Sequence, residues 1–212
     1  MISAERLSVP ARQVQLAVLA AFIATGQPPP RTELERLARS HGGDPGAALA
    51  ELAAADAIAV DSGGEIRAAY PFSPVATQIR VSWAGGPAAY AMCAIDALGM
   101  SAMLDRPVTV TAAEPETGRA ITVNVDIDRA RWRPRTAVVF SGAAAVDGGP
   151  SADRCCGYIN FFTRARAARD WASRHPDVTG RILRRTGALQ FGIAEFGSLL
   201  QPGPADPAAQ PR

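Results

Sequence analysis

The chain has 212 residues, 48% of them hydrophobic and 20% charged, with a formal net charge of +2. This composition describes a globular chain that can bury a core without covalent staples, and it excludes a disordered chain. It also excludes a strongly charged protein drawn to nucleic acid or a membrane surface by its overall field. All 22 basic residues are Arg. The most apolar early run, VQLAVLAAFIA, is far short of the roughly 20 residues a membrane-spanning helix needs. MISAERLSVPARQ lacks the basic start and apolar run of a secretion signal, so a cytoplasmic location is expected. Three cysteines, two of them adjacent, do not make a disulfide framework, and reduced thiols are expected.

In chain order, Val14, Leu16, Val18, Leu19 and Phe22 recur at helical spacing over residues 12–25, and GQPPP ends the run. TELERLARSHGG offers Thr32 and Glu35 as a capping box before a Gly-Gly stop. DPGAALAELAAADAI places Asp44 at an N-cap with Pro45 at the first helical position. IAVDSGGEIRAAY alternates on both sides of a Ser-Gly-Gly turn and predicts a hairpin. Three short helices and a hairpin make a winged-helix-like module over residues 1–72.

Composition shifts at YPFSPVATQ, and residues 73–200 form the second expected domain, a mixed or antiparallel sheet with flanking helices. Residues 88–104 predict a helix apolar nearly all round, hence buried. VTVTAA, AITVNVDI and TAVVF predict strands, with PETG as a turn. GAAAVDGGPSAD predicts a loop, CCGYINFF a strand, and TRARAARDWASRH a helix ended by Pro176. ALQFGIAEFGSLL predicts a last helix, and residues 201–212 a disordered Pro-rich tail.

A winged helix invites a DNA-binding reading, but the charge opposes it. Residues 1–75 hold six Arg against eight acids, and the third helix, which would enter the major groove, has no Arg. Phosphate neutralisation supplies much of protein–DNA affinity. A packing module is expected, with no nucleic-acid partner.

The chemistry gathers at YAMCAIDALGM and DRCCGYINFF. A cysteine in an apolar helix is usually a small buried hydrophobe, but a carboxylate there is costly unless paired or neutral. Helical i,i+3 spacing turns Cys93 and Asp96 to one face, where desolvation would raise the acid's pKa. Cys155 and Cys156 on a strand would point to opposite faces, so that one serves a site and the other packs. Zinc spacing and the redox C-x-x-C are absent, and neither His41 nor His175 stands in a suggestive motif. Two separated thiols and one acid remain, a set suited to a soft metal and a proton.

YAMCAIDALGM, then CCGYINFF and a helix containing AARDWASRHP, resemble the organomercurial lyases (alkylmercury lyases) of bacterial mercury resistance, over roughly residues 10–200. The resemblance implies cleavage of carbon–mercury bonds by protonolysis, giving a hydrocarbon and Hg(II). It implies Cys93, Asp96 and Cys155 as catalytic residues that also bind the mercury of substrate and product, with Cys156 a less essential neighbour and further candidate ligand. Cys93 is the first choice for initial capture, and Asp96 takes a thiol proton and later delivers one to carbon. No cofactor is implied, since mercury enters as substrate; Hg(II) would leave to a cytosolic thiol or a mercuric reductase. The family's further structural cysteine before a Thr-Gly turn has no counterpart in VTVTAAEPETG. Tyr90, Phe161 and Phe162 are candidates for an apolar pocket wall or for plain core. Two alternatives use the same thiols without turnover, a soft-metal carrier and a metal-sensing winged-helix regulator.

Overall fold

The computed structural model describes residues 7–145 and 148–201. Apart from Gln201, the expected Pro-rich tail lies outside the described residues, as does part of the loop expected at 142–153. The chain begins with helices α1 (Val9–Thr25), α2 (Arg31–Ser40) and α3 (Pro45–Ala54). Ser8 caps α1 through its hydroxyl, and Gly26, in the left-handed region, ends it. Asp44 caps α3 as expected, accepting from the Ala47 amide at 2.8 Å. The capping box expected at Thr32 does not form. Pro30 is already the N-cap of α2, and Glu35 instead pairs with Arg31 one turn back at 3.1 Å.

Strands β1 (Ile58–Val60) and β2 (Ile66–Ala69) form the expected hairpin. They open an eight-stranded antiparallel sheet of order β1-β2-β3-β5-β4-β6-β7-β8. Its other members are β3 (Phe72–Ser73), β4 (Ile79–Ser82), β5 (Ala89–Ala91), β6 (Val108–Ala113), β7 (Ala120–Asp126) and β8 (Arg129–Arg133). The sheet therefore runs from the wing hairpin into the second half of the chain, through Ala69 paired with Phe72 and Phe72 with Ala91. A three-stranded antiparallel sheet, β10-β9-β11, is built from β9 (Val138–Ala144), β10 (Ile159–Phe162) and β11 (Val178–Leu183). Helix α6 (Ala165–Arg174) packs on it through Trp171, whose ring meets Phe140 and Phe162.

Residues 88–104 divide into two elements. Ala89–Ala91 complete the sheet as β5, and α4 (Ala94–Leu104) starts only after Cys93. The helix is as buried as its sequence predicts, with ten of eleven residues inside. It packs along α7 (Arg185–Phe196) at a glycine crossing. A Cβ on Gly99 would come 2.4 Å from the Gly192 carbonyl, and one on Gly192 would come 2.7 Å from the Gly99 amide. Backbone fills that space, so neither helix can yield locally. Gly99→Ala is expected to cost about 1–3 kcal/mol of stability by overpacking, read from the midpoint of urea unfolding.

The turn after β6, within VTVTAAEPETG, is tied by a carboxylate. Glu114, 2% exposed, accepts from the Thr163 amide and hydroxyl, each at 2.6 Å, and from the Thr117 hydroxyl at 2.7 Å. These bonds lock the turn after β6 to the end of β10.

Candidate functional site

Four elements converge on one cavity of about 220 Å³ lined by Cys93, Asp96, Cys155 and Cys156. Strand β5 ends at Ala91 and delivers Cys93 to the N-cap of α4. The Cys93 backbone is extended, not helical, and its Sγ accepts from the Asp96 amide at 3.5 Å. The i,i+3 pair thus meets as cap and first turn, not as two positions on a helix face.

The doublet is not on a strand. Helix α5 (Ser151–Arg154) ends at Cys155, and Cys156 opens a 3-10 turn (Cys156–Tyr158) before β10 begins. On this curved backbone the neighbouring side chains share the cavity, which corrects the expectation of opposite faces. The Cys156 sulfur adjoins those of Cys93 and Cys155, and Cys93 adjoins Asp96, whose amide donates to its Sγ. Asp96, Cys93, Cys156 and Cys155 form a continuous file. All three cysteines are free thiols. Among the described residues, no group of three or more His, Cys, Asp or Glu side chains is arranged to hold a metal ion.

The four groups sit in different electrostatic settings. Burial pushes the Cys93 thiol up, and the hydrogen bonds from Cys156 and from the Asp96 and Ile95 amides offset this only in part. Burial likewise raises Asp96 well above the usual carboxylate range, against the opposing Cys93 bond, with the Cys155 and Glu195 charges adding to the rise. Asp96 is 5% exposed, and its Oδ2 is the buried side-chain oxygen without a hydrogen-bond partner among the described residues. Cys155 goes the other way. The bond from Cys156 lowers its pKa to about 6 despite half-burial, with Ser151 and Arg154 helping. Cys156 is correspondingly raised, by its hydrogen bond to Cys155, by the nearby Cys93 sulfur and by burial.

The walls are Tyr70, Ile95, Ile159, Phe191 and Phe196, with Asp56, Ser151 and Glu195 as further polar groups. None of the expected aromatic residues is among them. Phe161 packs edge-on against Trp132, Phe162 belongs with Phe140 and Trp171, and Tyr90 does not line the cavity. Phe191 and Phe196 lay within a helix legible in the sequence, but their facing toward Cys93 follows from the Gly99–Gly192 crossing. His41 caps α2 at its C-terminus and His175 stacks on Trp171 at 4.1 Å, so neither serves the thiols as base.

A buried acid and three thiols thus share one cavity on an α+β scaffold, a donor set suited to soft electrophiles. A family model described as alkylmercury lyase matches residues 72–197. The chain belongs to the alkylmercury lyase family. It is 33% identical over 108 residues to alkylmercury lyases of Bacillus cereus and Clostridium butyricum, covering 50% of this chain and 48% of each relative. It is 32% identical over 110 residues to the Streptomyces lividans alkylmercury lyase, covering 50% and 49%. The chain therefore spans about half the length of the curated relatives it matches. A solved structure, the mercury-bound form of MerB2, shares the fold with a TM-score of 0.73 at 23% identity, over 93% of this chain and 94% of that one.

Proposed function

We propose that this chain cleaves the carbon–mercury bond of organomercurials by protonolysis, releasing a hydrocarbon and retaining Hg(II) between two thiolates. The observation that carries the reading is the shared cavity in which the buried carboxyl of Asp96, its Oδ2 without a hydrogen-bond partner, stands beside Cys93, Cys155 and Cys156. A carrier needs thiols alone; a buried acid kept protonated beside them is costly and serves proton delivery.

The order of action follows from the thiol settings. Cys155, half-buried and ionised near neutrality, attacks mercury first and displaces its anionic ligand. In this order Cys155, not Cys93, makes the first capture. Cys93, buried and protonated, is the second ligand. As the carbon–mercury bond breaks, Asp96 gives its proton to the carbon and takes the Cys93 thiol proton in its place as that sulfur bonds mercury. The balance is one organomercurial cation and two cysteine sulfurs giving hydrocarbon and a bis-thiolate Hg(II), with no change in oxidation state. The reaction uses no organic cofactor. Product Hg(II) passes by thiol exchange to a small cytosolic thiol or a mercuric reductase, and the protein acts in the cytoplasm. No described helix is long and apolar enough to cross a membrane.

The cavity of about 220 Å³, walled by Ile95, Ile159, Phe191 and Phe196, has room for a phenyl group; dry apolar cavities of about 150 Å³ take benzene. The test is incubation with a phenylmercury salt and excess small thiol, with benzene followed by gas chromatography. Wild type is expected to release benzene, and Cys93→Ala and Asp96→Ala to release none. Stoichiometric mercury binding without benzene would instead make this a soft-metal carrier or sensor.

A further inference from the structure

We propose that the N-terminal module is a positioning device for the reaction: Asp56, Arg67 and Tyr70 fasten helix α5, from whose end Cys155 projects, and so set the reach of that thiol toward Cys93. The catalytic consequence rests on the lyase reading; the fastening itself does not.

Helix α5 has four residues, too few to hold its own shape. Its N-cap, Pro150, supplies no side-chain cap. The leading amides of a helix need partners from elsewhere, and here those partners come from far up the chain. The Asp56 carboxylate accepts from the Ser151 amide at 3.0 Å and from the Ser151 hydroxyl at 2.5 Å. The Tyr70 hydroxyl accepts from the Ala152 amide at 2.7 Å. Arg67 grips Asp153 with both terminal nitrogens, at 2.8 and 2.5 Å. Three consecutive residues of α5 are thus held by three residues that lie 82 to 95 positions away.

Cys155 is tied into the same turn. Its amide donates to the Ser151 carbonyl at 2.9 Å, and its thiol reaches that carbonyl at 3.5 Å. Whatever fixes Ser151 therefore fixes Cys155. Asp56 sits in the left-handed region at φ 52, in the turn between α3 and β1. Glycine would relieve that backbone but would leave Ser151 without an acceptor. Tyr70 is 3% exposed and lies with Asp56 on the cavity wall, so two of the three clamps also bound the site. All three precede residues 72–197, the segment that the family model matches. The module that resembles a DNA-binding wing turns its hairpin to this task, since Arg67 lies on β2 and Tyr70 directly follows it.

The test uses the full chain with Asp56→Ala, Asp56→Asn, Tyr70→Phe and Arg67→Ala. Amide hydrogen exchange over 151–156, in protein without substrate, reads the fastening. Inorganic Hg(II) competed against a small dithiol reads two-thiol chelation, and benzene release from phenylmercury reads kcat and KM. Asp56→Ala is expected to speed exchange of this segment, weaken Hg(II) retention about tenfold and lower kcat roughly 10- to 100-fold, with a smaller change in KM. Asp56→Asn keeps an acceptor for the Ser151 amide and is expected to recover most of both losses. Tyr70→Phe removes one oxygen only and retains the packed ring, so it tests the clamp even if Asp56→Ala folds poorly. Arg67→Ala, away from the cavity, is expected to give the same pattern more weakly. Unchanged exchange at 151–156, or faster exchange with unaltered Hg(II) retention, would overturn the proposal. If wild type itself releases no benzene, the lyase reading fails, while exchange and Hg(II) competition still decide the clamp.

Discussion

Asp96→Asn is expected to give a protein that binds Hg(II), resists unfolding better than wild type at neutral pH, and has lost carbon–mercury cleavage by at least about 100-fold. The stability half follows from linkage. Burial holds the folded pKa of Asp96 above its unfolded value. Between those two values the native state binds more protons than the unfolded chain, so the group's contribution falls as pH rises. Below the unfolded pKa both states are protonated and nothing is lost. Asparagine cannot ionise in either state and removes this slope. The gain near pH 7 is expected to be about 1–3 kcal/mol, after allowing for an amide that inherits an unpartnered position at Oδ2. The catalytic half follows because the amide has no proton of suitable affinity to give to carbon, while all three sulfurs remain. Urea unfolding of both proteins at pH 5 and pH 8 checks the first half. If wild type gains stability relative to Asp96→Asn between those values, Asp96 is ionised and paired when folded, and it cannot be the stored acid. Benzene assays of the same preparations check the second half.

The parts of this site differ in how far they could be read from sequence. An acid three residues after a cysteine, in a run otherwise wholly apolar, announced a buried group with a perturbed pKa, because burial there follows from composition alone. Where α4 starts could not be read the same way. AAYAM is as apolar as the helix after it, and only the pairing of β5 with β3 and β4 assigns it to the sheet. That pairing moves Cys93 from a helix face to a cap. The doublet is hard to place from sequence for a related reason. Four-residue α5 carries too little periodicity to announce itself, and INFF supplied strand character that was extended backward over CCGY. Some misses had available signals. QIRVSW alternates cleanly and is β4, whereas RARWR offers one apolar residue among four polar or small ones and is β8 only through its pairing with β7. The partners of Ser151 and Ala152 are tertiary facts, and no local pattern ties Asp56 or Tyr70 to a segment 95 or 82 residues on.

Neighbouring cysteines with opposite duties give the second large effect. Cys155→Ala is expected to abolish benzene release at every pH, because the thiolate that captures mercury is gone. Cys156→Ala is expected to leave an active enzyme with a displaced pH profile. In wild type, kcat/KM should rise with pH through a midpoint near 6, the value to which the Cys156 bond lowers Cys155. The sign is set by which form the bond favours: a donor to the sulfur stabilises thiolate, so removing the donor raises the pKa. Without Cys156 the midpoint should move toward the ordinary cysteine value of about 8.5. The rate changes less than the thiolate population does. At pH 6 the ionised fraction would fall on the order of 100-fold. A more basic thiolate is the better nucleophile by roughly tenfold over that interval, leaving a net loss of about tenfold. Cys156→Ser, whose hydroxyl can still donate, should keep the midpoint close to wild type. Profiles of kcat/KM for the three proteins between pH 5 and pH 9 decide the matter. An unmoved midpoint in Cys156→Ala would mean that Cys155 owes its acidity to Ser151 and Arg154. Cys156 would then be a packing residue that happens to adjoin the site. A moved midpoint, restored by serine, would show that the doublet exists so that one thiol can keep the other ionised.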